Sequence, residues 1–312
     1  MAKPCILAPE AAARLLRGRV QALRKPVDAV QAEDADGIHD MRVASRRLRA
    51  VLGEHRAVFA AQPFKSLRKK IRNITRSLGV ARELDVTLDI LEKRRTEFHG
   101  LARHALVYAV RRLRVTRKEQ SEAVAQSAAW VGSPELDRAL MDLFEGLVTQ
   151  SVCYINEAAR NLKQQYQAVY RLYGLWKGVP SEEVLHRIRI CLKKFRYTCE
   201  SYGPLYGARM KDFLQELKAA QEALGTWNDY RILRNHLRAL EPEAPPRAKE
   251  GFPALLTAIE TDVAKHLDAF AEGAKTFFSH ERAGEILDFL GRPEMACCRS
   301  TRPDPQALDE AY

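Results

Sequence analysis

A histidine followed by arginine at plus three, basic residues at plus seven and plus eight, and arginine at plus ten occurs twice in this chain. His39, Arg42, Arg46, Arg47 and Arg49 stand in IHDMRVASRRLRAVL. His186, Arg189, Lys193, Lys194 and Arg196 stand in LHRIRICLKKFRYTCE, each 147 residues further on. On a helical wheel Arg42, Arg46 and Arg49 fall within roughly 80° of His39 on one side, with Arg47 further round on the other. Arg189, Lys193 and Arg196 repeat that face beside His186, and Lys194 is the outlier. Val43, Ala50 and Val51 supply apolar packing on the first helix, and Ile188, Leu192, Phe195 and Cys199 do so on the second. Like charges one helical turn apart repel, so such a stripe costs stability unless an anion or an opposing carboxylate compensates. Arginine grips phosphate oxygens in a fork, whereas lysine acts as a mobile point charge. The chemistry implied is the holding of an anion.

Further basic residues share helical faces with one another: Arg68, Lys69, Arg72 and Arg76, then Arg111, Arg114, Arg117 and Lys118. Donors in such number suit a long polyanion better than one small phosphate, and predict binding that weakens steeply with salt. His39 and His186 lie near expected helix N-termini, where the dipole disfavours protonation and a neighbouring phosphate favours it. They could meet the ligand or tie one helix to a neighbour. A metal site is not expected, because no HExxH, HxxxH or clustered carboxylate motif accompanies these histidines. No glycine-rich phosphate loop is present. A phosphatase or polyphosphate kinase would have to draw on Glu83, Asp85 and Asp229, which are few and far apart. Nucleic-acid binding is the other alternative. Basic helices can meet its backbone, but aromatic residues do not interleave with the basic motifs, although Tyr197 and Trp227 are nearby.

The elements needed to position these residues read as helices throughout, with few strand-like alternations. The pattern predicts helices over 10–31, bent or broken at Pro26, then from Gly37 to about Ala61, capped by Asp36. A third opens at Pro63, carries Phe64, Leu67, Ile71, Ile74 and Leu78, and resumes past Gly79 with Leu84, Leu88 and Leu91. A fourth covers 100–128, and WVGSPEL at 130–136 is the best boundary. Helices over 134–172 and 182–202 follow, the latter capped by Ser181. One from Leu205 to Leu240 is interrupted near Gly225, and others cover 252–279 and 281–290. The eight main helices divide four and four. LGVARELD at 78–85 is answered by LGTWNDYR at 224–231, an offset of 146. The expectation is an all-α fold of two tandem four-helix bundles, related by internal duplication and pseudo-two-fold symmetry, with halves at 1–131 and 132–290 and a loose tail at 291–312.

Composition agrees with an ordered helical chain: 46% of the 312 residues are hydrophobic and glycine is sparse at 16. Lys and Arg total 51 against 40 Asp and Glu, a net charge of +11 that favours anionic partners. The excess is local: Ile38 to Leu78 holds eleven Arg or Lys against two acids, and Arg103 to Lys118 holds six with none. Cys5, Cys153, Cys191, Cys199, Cys297 and Cys298 form no CxxC pair, and Cys191 and Cys199 read as buried thiols in a reducing compartment. Neither a signal peptide nor a membrane span is expected.

HDMRVASRRLR and HRIRICLKKFRY resemble the paired signatures of the CHAD family, the conserved-histidine α-helical domains, over about residues 10–290. The resemblance implies two four-helix bundles about a pseudo-two-fold axis, basic helices lining a central channel or groove, and binding of inorganic polyphosphate without catalysis. By position it assigns the polyanion to His39, Arg42, Arg46, Arg47, Arg49, His186, Arg189, Lys193, Lys194, Arg196 and Tyr197. The family's next segment resembles L-G-x-x-R-D-x-D or L-G-x-x-N-D. Here Arg82, Asp85, Asn228 and Asp229 match, while Glu83 replaces the usual aspartate and keeps its charge. These side chains are expected to orient arginines. No β-rich triphosphate-processing region fits beside the span, so the standalone form is expected. No cofactor is implied. The implied location is the cytoplasm or a polyphosphate granule, with polyphosphate-metabolising enzymes as associates and phosphate or sulfate ions as stand-ins for the ligand.

Overall fold

The Asp34 carboxylate accepts a 2.7 Å hydrogen bond from the Gly37 amide and caps the helix that carries the first basic stripe. The cap is thus Asp34 rather than the expected Asp36, which lies in the first turn where its charge favours the helix dipole. The computed structural model describes residues 7–147 and 153–294. Cys5, Cys297, Cys298 and most of the expected tail lie outside the described residues.

The described chain is all α, with short 3₁₀ turns and two isolated bridges, Leu7 to Cys153 and Phe59 to Leu147. Its helices are α1 (Ala8–Arg24), α2 (Val27–Gln31), α3 (Ala35–Glu54), α4 (Ala61–Lys93), α5 (Gly100–Glu119), α6 (Ser121–Gly132), α7 (Pro134–Glu145), α8 (Tyr154–Gly178), α9 (Glu182–Tyr202), α10 (Gly207–Leu240), α11 (Pro246–Lys249), α12 (Phe252–Phe277) and α13 (His280–Leu290). Pro26 separates α1 from α2 as the pattern predicts.

Four details depart from the sequence pattern. Residues 100–128 break at Gln120, whose amide bonds back to the carbonyls of Arg117 and Lys118, and α6 turns away to pack on α2 and α4. The helix expected over 134–172 stops at Glu145. There the chain turns so that the Gly146 carbonyl takes the Ala60 amide at 2.8 Å, and a Cβ on Gly146 would stand 2.8 Å from that of Ala60. Gly225 does not interrupt α10: burial of Leu224 and Trp227 outweighs the ~1 kcal/mol cost of a mid-helix glycine. Ser181 precedes α9 without a side-chain capping bond.

Two apolar cores form. The larger draws on α1, α3, the first part of α4, α6 to α9, the first part of α10 and the end of α12. It therefore includes residues from both sides of position 131. The smaller joins Leu84 and Leu91 of α4, Ala105, Leu106, Ala109, Val110 and Leu113 of α5, Leu233 and Leu237 of α10, and Phe252, Leu255 and Ile259 of α12. The changeover falls between Ala81 and Leu84 on α4 and between Trp227 and Leu233 on α10. Both helices pass from one core to the other at the level of the Arg82–Glu83 and Asn228–Asp229 pairs.

Candidate functional site

The leading residues of the two basic stripes, His39 and Arg42 with His186, Arg189 and Lys193, line one cavity. It has a volume of about 540 Å³ and lies where α3 and α9 meet the middles of α4 and α10. His39 and Arg42 enter from α3, Arg82 and Glu83 from α4, His186, Arg189 and Lys193 from α9, and Asn228, Asp229, Arg231 and His236 from α10. A second cavity of about 430 Å³ shares Lys193 and is lined by Arg46, Arg49, Arg56, Arg68, Lys194, Ile190 and Tyr197. Arg42, Arg82, Arg189, Lys193 and Arg231 in the first cavity face only two carboxylates, Glu83 and Asp229.

The sequence places these cations inward because the residues between them are core. On α3, Met41, Ala44, Ser45 and Leu48 are buried, which leaves Arg42, Arg46 and Arg49 half-buried at the margin. On α9, Ile188, Leu192 and Phe195 are buried to 0% exposure, and Arg189 is itself only 8% exposed. Among the described residues, no ion pair within 4.0 Å involves Arg42, Arg46, Arg49, Arg189, Lys193 or Lys194. His39 Nδ1, Arg189 Nε and Arg231 Nε are buried and lack a hydrogen-bond partner among the described residues. Buried donors of this kind are costly to leave unpaired.

The electrostatic consequence is largest at Lys193. Burial, with Arg189, Arg46 and Arg42 around it and only partial relief from Asp229, pushes its ammonium down to about 6. Burial, then Arg46 and Arg189, lower the Arg42 guanidinium to about 10. Arg189 falls for the same first reason, although Asp229 opposes it. Burial lowers Arg49 too, with Arg46, Arg68 and Arg72 adding to the effect. His39 is lowered by burial and then by Arg82. His186 is lowered by burial, against a 3.4 Å contact of its Nδ1 with the Asn228 Oδ1 that raises it. Burial raises Asp229, and Arg189 and Lys193 pull it back.

Several basic residues instead spend their charge on the fold. Arg47 donates from Nε and Nη2 to both oxygens of Glu200, at 2.7 and 3.3 Å, clasping α3 to α9. Burial lowers that guanidinium, but the Glu200 hydrogen bond and charge outweigh it and raise it. Arg196 pairs with the same carboxylate at 3.1 Å and lies 5.3 Å from the centre of the buried Tyr197 ring. Asp85 takes Arg117 Nε at 2.6 Å, and Glu92 takes Arg114 at 2.7 Å. Arg111, Arg114 and Lys118 line a different cavity, along α5. Arg72 approaches Arg49, while Lys69 and Arg76 are exposed on α4 and line neither basic cavity. Of the expected orienting residues, Asn228 accepts from Arg231 at 3.2 Å, and Glu83 lies 3.5 Å from His236.

Arg231 and His236 belong to the cavity but not to the set drawn from the motifs. The signal was present: Asn228, Arg231, Ile232, Asn235 and His236 follow one another at the spacing of a single α10 face. Cys199 is buried as expected, and burial pushes its thiol up, whereas Cys191 is half-buried. Among the described residues no group of three or more His, Cys, Asp or Glu side chains is placed to hold a metal. No helix of the described residues is long and apolar enough to cross a membrane.

The CHAD domain family model matches residues 14–238, most of the chain, so this protein belongs to the CHAD domain family. A crystal structure of the CHAD domain from the plant Ricinus communis superposes with a TM-score of 0.66 at 22% identity, over 95% of this chain and 96% of that one. PptA from Streptomyces chartreusis superposes with a TM-score of 0.60 at 16% identity, over 88% of this chain and all of that one. Both likenesses concern the fold. An uncharacterised protein of Mycobacterium tuberculosis is 26% identical over 259 residues, covering 79% of this chain and 48% of the relative. The same figures hold for its counterpart in a second strain. The chain thus spans about half the length of the curated relatives it matches.

Proposed function

We propose that this protein binds inorganic polyphosphate, without turning it over, in a groove made of the two adjoining basic cavities. One observation carries the reading: two motifs 147 residues apart line the same cavity, where cations outnumber carboxylates. A chain of phosphates supplies repeated oxygens to Arg42, Arg189, Lys193 and Arg231. It then continues past Lys193 toward Arg46, Arg49, Arg56, Arg68 and Lys194. His39 and His186 flank its path, and Asn228, Asp229 and Glu83 orient the donors.

The same cavity supports descent of the two halves, 1–131 and 132–290, from a duplicated unit about a pseudo-two-fold axis. His39 and His186, Arg42 and Arg189, Glu83 and Asp229, and Val86 and Ile232 stand in the cavity as pairs at offsets of 147 or 146. α3 and α9 are each followed by a 3₁₀ turn and a helix of 33 or 34 residues. On this reading the protein works with stored polyphosphate in the cytoplasm or at granules, alongside enzymes that make or consume the polymer.

Isothermal titration with long-chain polyphosphate at several salt concentrations tests the reading. The expected result is saturable binding whose logarithmic affinity falls linearly with the logarithm of salt. Absence of binding at low salt would defeat it, and so would orthophosphate release that depends on Asp229 or Glu83.

A further inference from the structure

The α5 helix has an outer face that the polyanion groove does not use. Its inner side, Ala105, Leu106, Ala109, Val110 and Leu113, belongs to the smaller core. On the outer side Val107 and Val115 are 48% and 49% exposed, two of the few large apolar side chains so placed among the described residues. They sit with Leu106 and Val110 in a cavity of about 500 Å³ that α5 forms with the end of α4. Arg95, Arg111, Arg114 and Lys118 edge it, with Glu92 as its one carboxylate. Glu92 already engages Arg114 at 2.7 Å and Arg95 at 3.9 Å. Lys118 and Arg111 make no ion pair within 4.0 Å among the described residues.

An apolar floor with basic edges selects its occupant. Polyphosphate would satisfy the edges but has no apolar surface to cover Val107 and Val115, and their burial is worth free energy only to a partner that is itself apolar on one side. A bilayer surface is a poor fit, because the apolar residues line a depression rather than project from the molecule. From Val107 to Lys118 the face runs about 17 Å at 1.5 Å per residue, the length of three helical turns.

We propose that this groove is a docking site for an acidic amphipathic helix of a partner protein, which lays an apolar stripe over Val107 and Val115 and sets its carboxylates against Arg95, Arg111 and Lys118. The site is separate from the polyanion groove, so one molecule can hold polymer and partner together. Rim charges of this kind set encounter rate and specificity, and the apolar centre sets residence time.

The test uses the full chain and a fluorescent synthetic helix of sixteen residues, leucine at helical-stripe positions and glutamate elsewhere, followed by anisotropy. A second peptide has the same composition in scrambled order. The expected result is saturable binding of the ordered peptide, at least tenfold tighter than the scrambled one. Val107→Asp with Val115→Asp should abolish it, and Arg111→Glu with Lys118→Glu should weaken it at least tenfold. The Val107→Asp/Val115→Asp variant should bind polyphosphate within twofold of the parent, which separates failure at this groove from failure of the polyanion reading. Equal binding of the two peptides, or ordered-peptide affinity unchanged in Val107→Asp/Val115→Asp, would overturn the proposal. So would a parent that ignores the peptide yet binds vesicles of anionic phospholipid through these same valines.

Discussion

Lys193 makes the sharpest demand on the polyanion reading, because its charge must be restored for a phosphate to profit from it. With the ammonium at about 6 in the free protein, roughly a tenth of the molecules carry that proton at pH 7. A phosphate chain laid between Arg42, Arg189 and Lys193 returns the lysine to its ordinary range. Loading the proton costs little near pH 6, about 1 kcal/mol at pH 7 and about 3 kcal/mol at pH 8. Affinity is therefore expected to fall with each pH unit above 6, by up to about tenfold per unit, with close to one proton taken up per bound chain at pH 7. Titration calorimetry at fixed ionic strength, in two buffers of different ionisation enthalpy, counts that proton directly. Long chains are used so that the ionised internal phosphates dominate. Lys193→Met should lose most of the uptake. Lys193→Arg should hold its charge throughout and flatten the pH dependence above pH 7. Burial lowers both histidines, so any uptake they add falls toward the acid end of the range. Zero proton uptake by the parent at pH 7, or uptake undiminished in Lys193→Met, would refute the reasoning.

Because the folded lysine lies below its unfolded value of 10.5, the unfolded chain binds the extra proton between about pH 6 and 10.5, so stability of the free protein should rise with pH across that window. Thermal melts of Lys193→Met should lack that slope and lie above the parent near pH 6. Joint replacement of Arg42, Arg46, Arg189 and Lys193 by alanine should leave the far-ultraviolet helical spectrum intact while polyphosphate affinity falls at least about a hundredfold; single replacements cost less, because many charges share the ligand. Glu200→Ala leaves Arg47 and Arg196 without their shared carboxylate, so urea unfolding should report a loss of about 1–3 kcal/mol. A Cβ on Gly251 would meet the Leu101 carbonyl oxygen at 1.9 Å, so Gly251→Ala should destabilise by about 1–3 kcal/mol in the same assay and expose the smaller core.

What could be read from the chain alone followed from local spacing. The inward cations of α3 and α9 were legible, because a 3.6-residue period separates Arg42, Arg46 and Arg49 from Met41, Ala44 and Leu48. So was the pairing of the motifs, because an offset of 147 shared by five residues is a property of the string. The role of Arg47 was not. Its partner Glu200 is 153 residues away, and no local rule joins them. The α5 arginines looked equivalent to those of α3 because charge density is visible in a sequence, whereas the carboxylates that occupy Arg114 and Arg117 come from the neighbouring helix α4. Gly225 and Gly146 make the same point in reverse. The pattern predicts a break near Gly225 and an unbroken helix through Gly146, and tertiary surroundings reverse both.

The changeover between the two cores gives α4 and α10 a mechanical character. Each is a rod of about 50 Å, clamped by apolar packing on both sides of the segment that faces the cavity. The spacing of the cavity walls is thus a reading taken between two fixed clamps. A shift of Leu91 or Leu237, far from any motif residue, would tilt the rods and open or narrow the gap that Arg82 and Arg231 look across. Leucines that line neither basic cavity thus help to set the width of the gap between the cavity walls.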